Sequence, residues 1–377
     1  MVLDERQSKY GSVRRHSGKI LFSVLGFVYF LVIVLRTIPV PWMLQATEVE
    51  NVTSVAILAW TSFSVVDIER EFRSPLTPCP NRQCLVTTDR TMLERSDAIF
   101  FHERNLNPHD LPKRRRPDQY FVIANWEAPN RLLNTTSAIE KNFFNLTMTY
   151  RHDSDIFVPY LTLISSVSQR PLNEQQLLKL ARRKKQYIAW FVSNCKTPSK
   201  RELYVRELQE HIPVDIYGRC GNLKCPHDQK ACNRMLRNDY KFYLSFENSI
   251  CPEYVTEKTF MALSNDVVPI VLSRAISQRV IPNDSFIAVD DFASPKLLAD
   301  FLYYLSDHTT EYVKYFNYKR KYIVKKPSLL RMGMQKLCEL ISCSGKPYNH
   351  YVHNFHTWFT QDSNCSSVVL PGEKEAD

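Results

Sequence analysis

The sequence predicts an α/β protein of two doubly wound domains facing a cleft, behind an N-terminal transmembrane anchor. Three observations carry that. The 377 residues suffice for two domains with real cores. Short apolar strand candidates alternate with helical stretches in two successive sets, the pattern of parallel sheets. A polar, basic run, "RPLNEQQLLKLARRKKQ" from Arg170 to Gln186, separates the sets and reads as an interdomain connection.

At the N-terminus, Ile20 to Leu35 is an uncharged, apolar run, short but adequate for a thin endomembrane. Arg6, Lys9, Arg14, Arg15 and Lys19 precede it and place residues 1–19 in the cytosol. A cleaved signal peptide would need a small-x-small site, and Arg36, Thr37 and Ile38 follow instead. Residues 20–35 are therefore read as a signal-anchor of type II, 36–54 as a stem, and the rest as luminal. Sequons at Asn51, Asn134, Asn145, Asn283 and Asn364 fit a luminal, glycosylated chain. Ten cysteines suggest disulfides in an oxidising compartment. "CGNLKCPHDQKAC", with Cys220, Cys225, His227 and Cys232, has zinc-knuckle spacing, but in a lumen local disulfides are the better reading; their pairing stays open.

The first set of strands, "VAILAWTSF" from Val55, "DAIFFH" from Asp97 and "YFVIANWE" from Tyr120, opens a domain over 55–175. The second set, "YIAWFVSN" from Tyr187, "VDIYG" from Val214, "YKFYLSFEN" from Tyr240, "VVPIVL" from Val267 and "SFIAV" from Ser285, builds a domain over 176–345. Residues 346–377 are a C-terminal extension. Helices are read in "SKRELYVRELQEH" and "TEKTFMALS", and ligands of such sheets bind at the carboxyl ends of strands.

With only eight glycines, and neither GxGxxG nor GxxxxGK[ST], a glycine-cradled nucleotide site is disfavoured. The net charge of +10 includes "KRRR" at Lys113–Arg116 and "RRKK" at Arg182–Lys185. Behind a membrane anchor these do not argue for nucleic acid. They are solvated loop charge or an attraction for an anionic substrate such as a nucleotide diphosphate.

Two helix starts carry the anion chemistry. Ser199 and Glu202 are spaced as a capping box, which puts Arg201 in a first turn, where the helix dipole disfavours a cation. The same conflict recurs in "FENSICPEYVTEK", where Thr256 can cap a helix whose first turn carries Glu257 and Lys258. A bound phosphate would resolve both. Asn248 and Tyr254 offer hydrogen bonds to a sugar or base, and Glu257 can accept from hydroxyls. In the other half, Glu127 follows a strand end beside Trp126 and is a candidate general base. Asp153-Ser154-Asp155 has the D-x-D form that elsewhere holds a metal on nucleotide-sugar phosphates. Arg151 and the apolar flank argue instead for an ion-pair network that positions loops.

Taken together, "NWEAP", "NFFNLTMTYRHDSDIFVPY", "AWFVSNC" with Arg201 following, "VDIYGRCG", "YKFYLSFENSICPEYVTEKTFMALSNDVVPIVL" and "SFIAVDDF" resemble, in the same order, the animal α1,3-fucosyltransferase family. "CGNLKCP" and the "DYKFYLSFENSICPEY" stretch look closer to its invertebrate, Golgi type II members than to vertebrate Lewis-type enzymes. The resemblance spans about Val55 to about Cys343. It implies two Rossmann-like domains in the GT-B arrangement and inverting transfer of fucose from GDP-fucose in α1,3 linkage to N-acetylglucosamine of a glycan. The core of glycoprotein N-glycans is the favoured acceptor, with terminal lactosamine-type or glycolipid acceptors as the alternative, and a catalytically silent glycan-binding member as another. It further implies that Arg201, Asn248, Tyr254, Glu257 and Lys258 occupy donor-binding positions and that Glu127 is the general base. No metal site and no required cofactor are implied, with stimulation by Mn2+ left open. The chain departs from the family at Ser273 and Arg274, where glycine usually follows "VVPIVL", at Leu161 and at Met261.

Overall fold

The computed structural model describes residues 53–133, 136–137, 139, 141–166, 173–225, 228–343, 350–361 and 363–368. The tail, the anchor segment 20–35 and nearly all of the stem lie outside them. Among the described residues no helix is long and apolar enough to cross a membrane.

The first sheet is built from β1 (Thr53–Ala59), β2 (Leu76–Cys79), β3 (Arg82–Thr87), β4 (Ala98–His102), β5 (Tyr120–Asn125), β6 (Leu146–Thr149) and β7 (Ile156–Phe157), in the order β2-β3-β1-β4-β5-β6-β7. All pairs are parallel except β2 with β3. Its centre is apolar on both faces: every residue of β4 is buried, as a parallel strand covered on two sides requires.

The second sheet is wholly parallel, with β9 (Gln186–Phe191), β10 (Val214–Tyr217), β11 (Tyr240–Leu244), β12 (Val268–Val271) and β13 (Ile287–Ala288) ordered β10-β9-β11-β12-β13. The order reverses between β9 and β11. At such a switch point the connections leave to opposite sides and a crevice opens at the carboxyl ends. Helices α1 (Glu174–Arg183), α2 (Arg201–Leu208), α3 (Gln229–Asp239), α4 (Glu257–Ser264) and α5 (Pro295–Asp307) belong to this half.

Two expectations about organisation need correction. The basic run from Arg170 is not a mere connection. From Glu174 it is α1, started by a capping box between Asn173 and Gln176, and it buries Leu177 and Ala181 in the second core. The second domain does not extend to residue 345 either. Helix α6 (Leu329–Cys343) and α7 (Phe355–Gln361) bury Leu330, Met334, Leu337, Phe355 and Phe359 in the core of the first sheet. The chain thus goes out and comes back, and its outgoing strand β8 (Thr162–Ser165) pairs antiparallel with its returning strand β14 (Tyr322–Lys325).

All ten cysteines pair. Cys79–Cys343 and Cys84–Cys338 fasten α6 to β2 and β3, Cys195–Cys220 and Cys225–Cys232 are local, and Cys251–Cys365 joins the polar stretch after β11 to the C-terminal segment. The zinc-knuckle cysteines are therefore disulfide partners, while His227 lies outside the described residues.

Candidate functional site

The two proposed anion turns stand at the carboxyl ends of β9 and β11, on either side of the switch point. Neither helix start is capped as the spacing predicts. Lys200, at a φ of 54°, precedes Arg201, and the left-handed backbone there turns Ser199 away from the helix. The Ser199 hydroxyl instead donates to the Glu247 carbonyl at 2.8 Å, and the Glu202 carboxylate accepts from the Thr197 N–H and hydroxyl at 3.2 and 3.0 Å. Thr256 occupies its N-cap position, but its hydroxyl donates to the Glu247 carboxylate rather than capping. The Ser199 hydroxyl bond crosses between the two turns, and the Ser199 N–H on the Asn248 carbonyl at 3.0 Å adds a second tie between them.

Arg201 is 3% exposed and packs over the Trp190 ring. Its guanidinium donates to the Phe246 carbonyl and, at 3.1 Å, to the Asn194 carbonyl, while Nε has no partner. The Asn248 Oδ1 is likewise buried and unpaired. Buried polar atoms without partners are uncommon, and a donor and an acceptor left open in adjoining turns are groups that a polar ligand or water completes. Burial lowers the Arg201 pKa, but a guanidinium stays charged.

Lys258 is held at the centre of a carboxylate pair. Its Nζ lies 2.9 Å from Glu247, 3.0 Å from Glu257 and 2.8 Å from the Thr256 hydroxyl. Burial opposes its charge, but the two anions outweigh it and raise the lysine above its ordinary value. Burial likewise pushes Glu247 up, with Lys258 pulling back. Glu257 is 44% exposed in its side chain. Desolvation acts against its anion too, yet Lys258 and the local hydrogen bonds hold it below the usual carboxylate range. Glu257 is therefore an accessible acceptor for hydroxyls and Lys258 a cation beside it.

Tyr254 is buried, and its ring lies 5.2 Å from that of Tyr150 and 6.3 Å from that of Tyr160. Burial drives the phenols of Tyr254, Tyr160 and Tyr150 upward, so all three remain neutral donors. This cluster leads to the first half, because the Tyr160 hydroxyl donates to the Trp126 carbonyl, next to Glu127. A second bridge is direct: the Ser249 hydroxyl meets the Asn130 Oδ1 at 2.7 Å. The loop carrying Glu127 is thus tied to the polar stretch after β11 on both sides of Glu127.

Glu127 stands two residues beyond β5. Asn125, fully buried, accepts the Glu127 N–H at 3.0 Å and fixes its backbone. The Glu127 carboxylate is 32% exposed, 3.8 Å from Arg104. Its geometry is that of an accessible, oriented base. The D-x-D residues do not join this site: Arg151 grips Asp153 at 2.6 Å and Asp155 accepts from the Thr147 N–H and hydroxyl. Arg274 is likewise engaged locally, with Asp291 at 2.5 Å and Asn283 at 2.6 Å, while Ser273 lines a cavity of about 270 Å³ together with Ile250 and Tyr204.

Sequence reading passed over Glu247, Ser249, Asn130, Tyr150 and Tyr160. Glu247 and Ser249 lie inside the motif, and their polarity at a strand end was the available signal. Asn130 and the two tyrosines gain meaning only through contacts across the chain. Of the sequons, Asn283 and Asn364 are exposed, while Asn51 and Asn134 lie outside the described residues. Asn145 is a correction: it is 5% exposed, its Nδ2 donates to the His350 carbonyl at 3.0 Å and its Oδ1 accepts from Phe121 N–H and Arg115. A glycan on that nitrogen is incompatible with this packing.

Comparison with known proteins adds a family. Residues 181–358 match "Glycosyltransferase family 10 (fucosyltransferase) C-term" and residues 53–161 match "Fucosyltransferase, N-terminal". Alpha-(1,3)-fucosyltransferase C of Drosophila melanogaster is 34% identical over 336 residues, 83% of this chain and 76% of that protein. Alpha-(1,3)-fucosyltransferase fut-1 of Caenorhabditis elegans is 38% identical over 252 residues, 66% of this chain but 56% of that protein, so the chain spans little more than half of that relative. The human 4-galactosyl-N-acetylglucosaminide 3-alpha-L-fucosyltransferase FUT6 is 39% identical over 63% of this chain and 65% of its own. A crystal structure of an alpha1,3-fucosyltransferase with GDP, 18% identical, superposes with a TM-score of 0.49 over 78% of this chain and 91% of that one.

Proposed function

Because this chain belongs to glycosyltransferase family 10, the fucosyltransferases, we propose that it transfers fucose from GDP-fucose in α1,3 linkage, with inversion, to N-acetylglucosamine of a glycoprotein glycan. The core of N-glycans is the acceptor we favour. The working arrangement is a GT-B enzyme, two Rossmann-like domains with the acceptor on the first sheet and the donor on the second. It is anchored as a single-pass type II protein in the Golgi membrane.

The observation that supports this reading most is the two-sided site. A fixed, accessible carboxylate, Glu127, comes from the first sheet, and its loop is tied through Asn130 and Ser249 to a donor turn rich in cations and neutral hydroxyls. In the proposed step Glu127 takes the proton of the acceptor hydroxyl as that oxygen bonds to the fucose anomeric carbon. The bond from that carbon to the diphosphate oxygen breaks on the opposite face, and GDP leaves with the electron pair. Charge builds on the sugar ring as an oxocarbenium and on the departing diphosphate. Arg201 and Lys258 carry cations towards the diphosphate, Asn248 and Tyr254 offer polar contacts to the donor, and Glu257 accepts from its hydroxyls. No step here calls for a metal, and Mn2+ would act only as an added counter-ion.

The test uses a soluble fragment beginning near Gln45, GDP-fucose and a panel of defined glycans, with mass spectrometry locating the added sugar. Fucose on core N-acetylglucosamine is the expected product. Fucose on terminal lactosamine only would replace the acceptor assignment, and GDP-fucose binding with no product on any acceptor would mark a silent member. Glu127→Gln should cut turnover by roughly 10²–10⁴-fold, the range for losing a general base, while GDP affinity is kept. Unchanged turnover would remove Glu127 from the mechanism. EDTA should leave most activity in place.

A further inference from the structure

Glu127 has a carboxyl neighbour that the proposed chemistry does not use. Glu103 opens the short turn Glu103–Asn105 after β4 and is 0% exposed. One of its oxygens accepts the Leu133 N–H at 2.9 Å, and the other is buried with no partner. An ionised carboxylate has about four acceptor positions to satisfy, and a buried one needs a cation as well. Among the described residues no ion pair reaches Glu103. The guanidinium next to it in sequence, Arg104, turns to Glu127 at 3.8 Å instead. Two carboxyls thus stand at the ends of neighbouring parallel strands with one cation, and that cation is committed to the exposed one.

We infer that Glu103 is a positioning residue for Glu127: a second carboxyl, buried at the neighbouring strand end without a cation of its own, that leaves Arg104 to Glu127 when neutral and competes for that guanidinium when charged. The inference rests on the proposal that Glu127 is the base. Burial drives the Glu103 carboxyl up to about 7, the Glu127 anion acts in the same direction, and the Leu133 N–H and Arg104 oppose it. The remaining titratable neighbour on its own turn, His102, is itself lowered by burial and sits on Asn105 at 2.6 Å, so it brings no compensating charge. Below neutral pH Glu103 is an acid and brings no charge to the Glu127–Arg104 pair. Above it Glu103 loses its proton to solvent, and its anion draws on Arg104, which frees the Glu127 carboxylate to meet the acceptor hydroxyl.

The experiment is a pH–rate profile of fucosyl transfer together with a turnover-independent titration. The wild-type kcat profile should carry an inflection near pH 7, where Glu103 ionises. Glu103→Gln keeps the shape but cannot ionise. It should lose that inflection and fall by roughly threefold to tenfold on the alkaline side, with the KM for GDP-fucose unchanged. Glu103→Asp should restore an inflection. A merely structural role would lower the rate evenly across pH, and a Glu103→Gln profile that keeps the wild-type inflection overturns the inference. Independently, infrared titration of the carboxyl stretch that disappears in Glu103→Gln should show its midpoint moving to lower pH in Glu127→Gln, because coupling between two sites is reciprocal. An unmoved midpoint overturns the inference whatever the enzyme does. A moved midpoint in a protein that transfers no fucose would instead keep the pair and discard the transferase reading.

Discussion

A buried carboxyl and a buried ammonium have opposite consequences depending on what else is near. Lys258 is placed between Glu247 and Glu257, so its removal leaves two anions facing each other, one of them 10% exposed in its side chain. Lys258→Met should therefore destabilise the fold by about 3 kcal/mol at neutral pH, the range for stranding a buried charge. The loss should shrink under acid as Glu247 protonates, and Glu247→Gln in the same protein should recover part of it. Denaturant unfolding of the two single variants and the double variant, closed as a cycle, measures that coupling. Glu103 shows the other sign. Its folded pKa of about 7 exceeds the ordinary 4.5. A raised carboxyl contributes stability that is complete below the unfolded value and is lost as pH rises towards the folded one. That loss, 7 minus 4.5 units at 1.36 kcal/mol each, comes to about 3 kcal/mol. Glu103→Gln should equal wild type in acid and exceed it in thermal stability at mildly alkaline pH. Equal differences at both ends of the pH range would mean that Glu103 does not titrate there.

Strands and short helices were legible where a single pattern governs them. β1, β4, β5 and β9 to β13 follow from apolar runs bounded by polar turns, and α2 and α4 from their periodicity. The capping assignments at Ser199 and Thr256 were not, because Glu247, a residue far from Ser199 in sequence, competes for both hydroxyls. Nor was the placement of α6. Its apolar face, Leu330, Met334 and Leu337, would serve either core, and chain order favours the nearer one. Two features decide against chain order. Gly333 lets the helix lie so close to β6 that an added Cβ would stand 2.4 Å from the Met148 sulfur. The second is the pair of disulfides Cys79–Cys343 and Cys84–Cys338, which close loops of 264 and 254 residues. Replacing Cys84 and Cys338 together by serine should cost roughly 2–5 kcal/mol and expose α6 to limited proteolysis before the second sheet unfolds. Proteolysis beginning instead in α1 or α2 would show that the helix holds to the first sheet by packing alone.

At the scale of the whole molecule, the site is assembled by a chain that crosses between its halves more than once. The candidate donor residues were visible as a dense polar stretch, but the C-terminal segment that buttresses them was not, since its ties are spread over more than a hundred residues of sequence. After α7 the chain returns to the second half. The Ser366 N–H donates to the Ile250 carbonyl at 2.8 Å, the Val368 N–H donates to the Ser199 carbonyl at 3.0 Å, and Cys365 is bonded to Cys251. Ser199 and Ile250 belong to the two anion turns, so the segment acts as a strap across them. The backbone at Lys200, with a φ of 54°, and at Glu253, with a φ of 62°, is in a left-handed region that non-glycine residues rarely adopt, and the strap helps hold those turns there. Ending the chain after Ser363, with Cys251→Ser to remove the unpaired thiol, should then loosen GDP binding by roughly tenfold, about 1.4 kcal/mol, through the cost of ordering the turns on the ligand. Isothermal calorimetry should register this as a larger unfavourable entropy, while the pH–rate inflection assigned to Glu103 on the first sheet stays in place. Undiminished affinity would mean that the turns are held by Glu247, Lys258 and Ser199 alone, and that the strap serves the stability of the α7 region rather than the donor site.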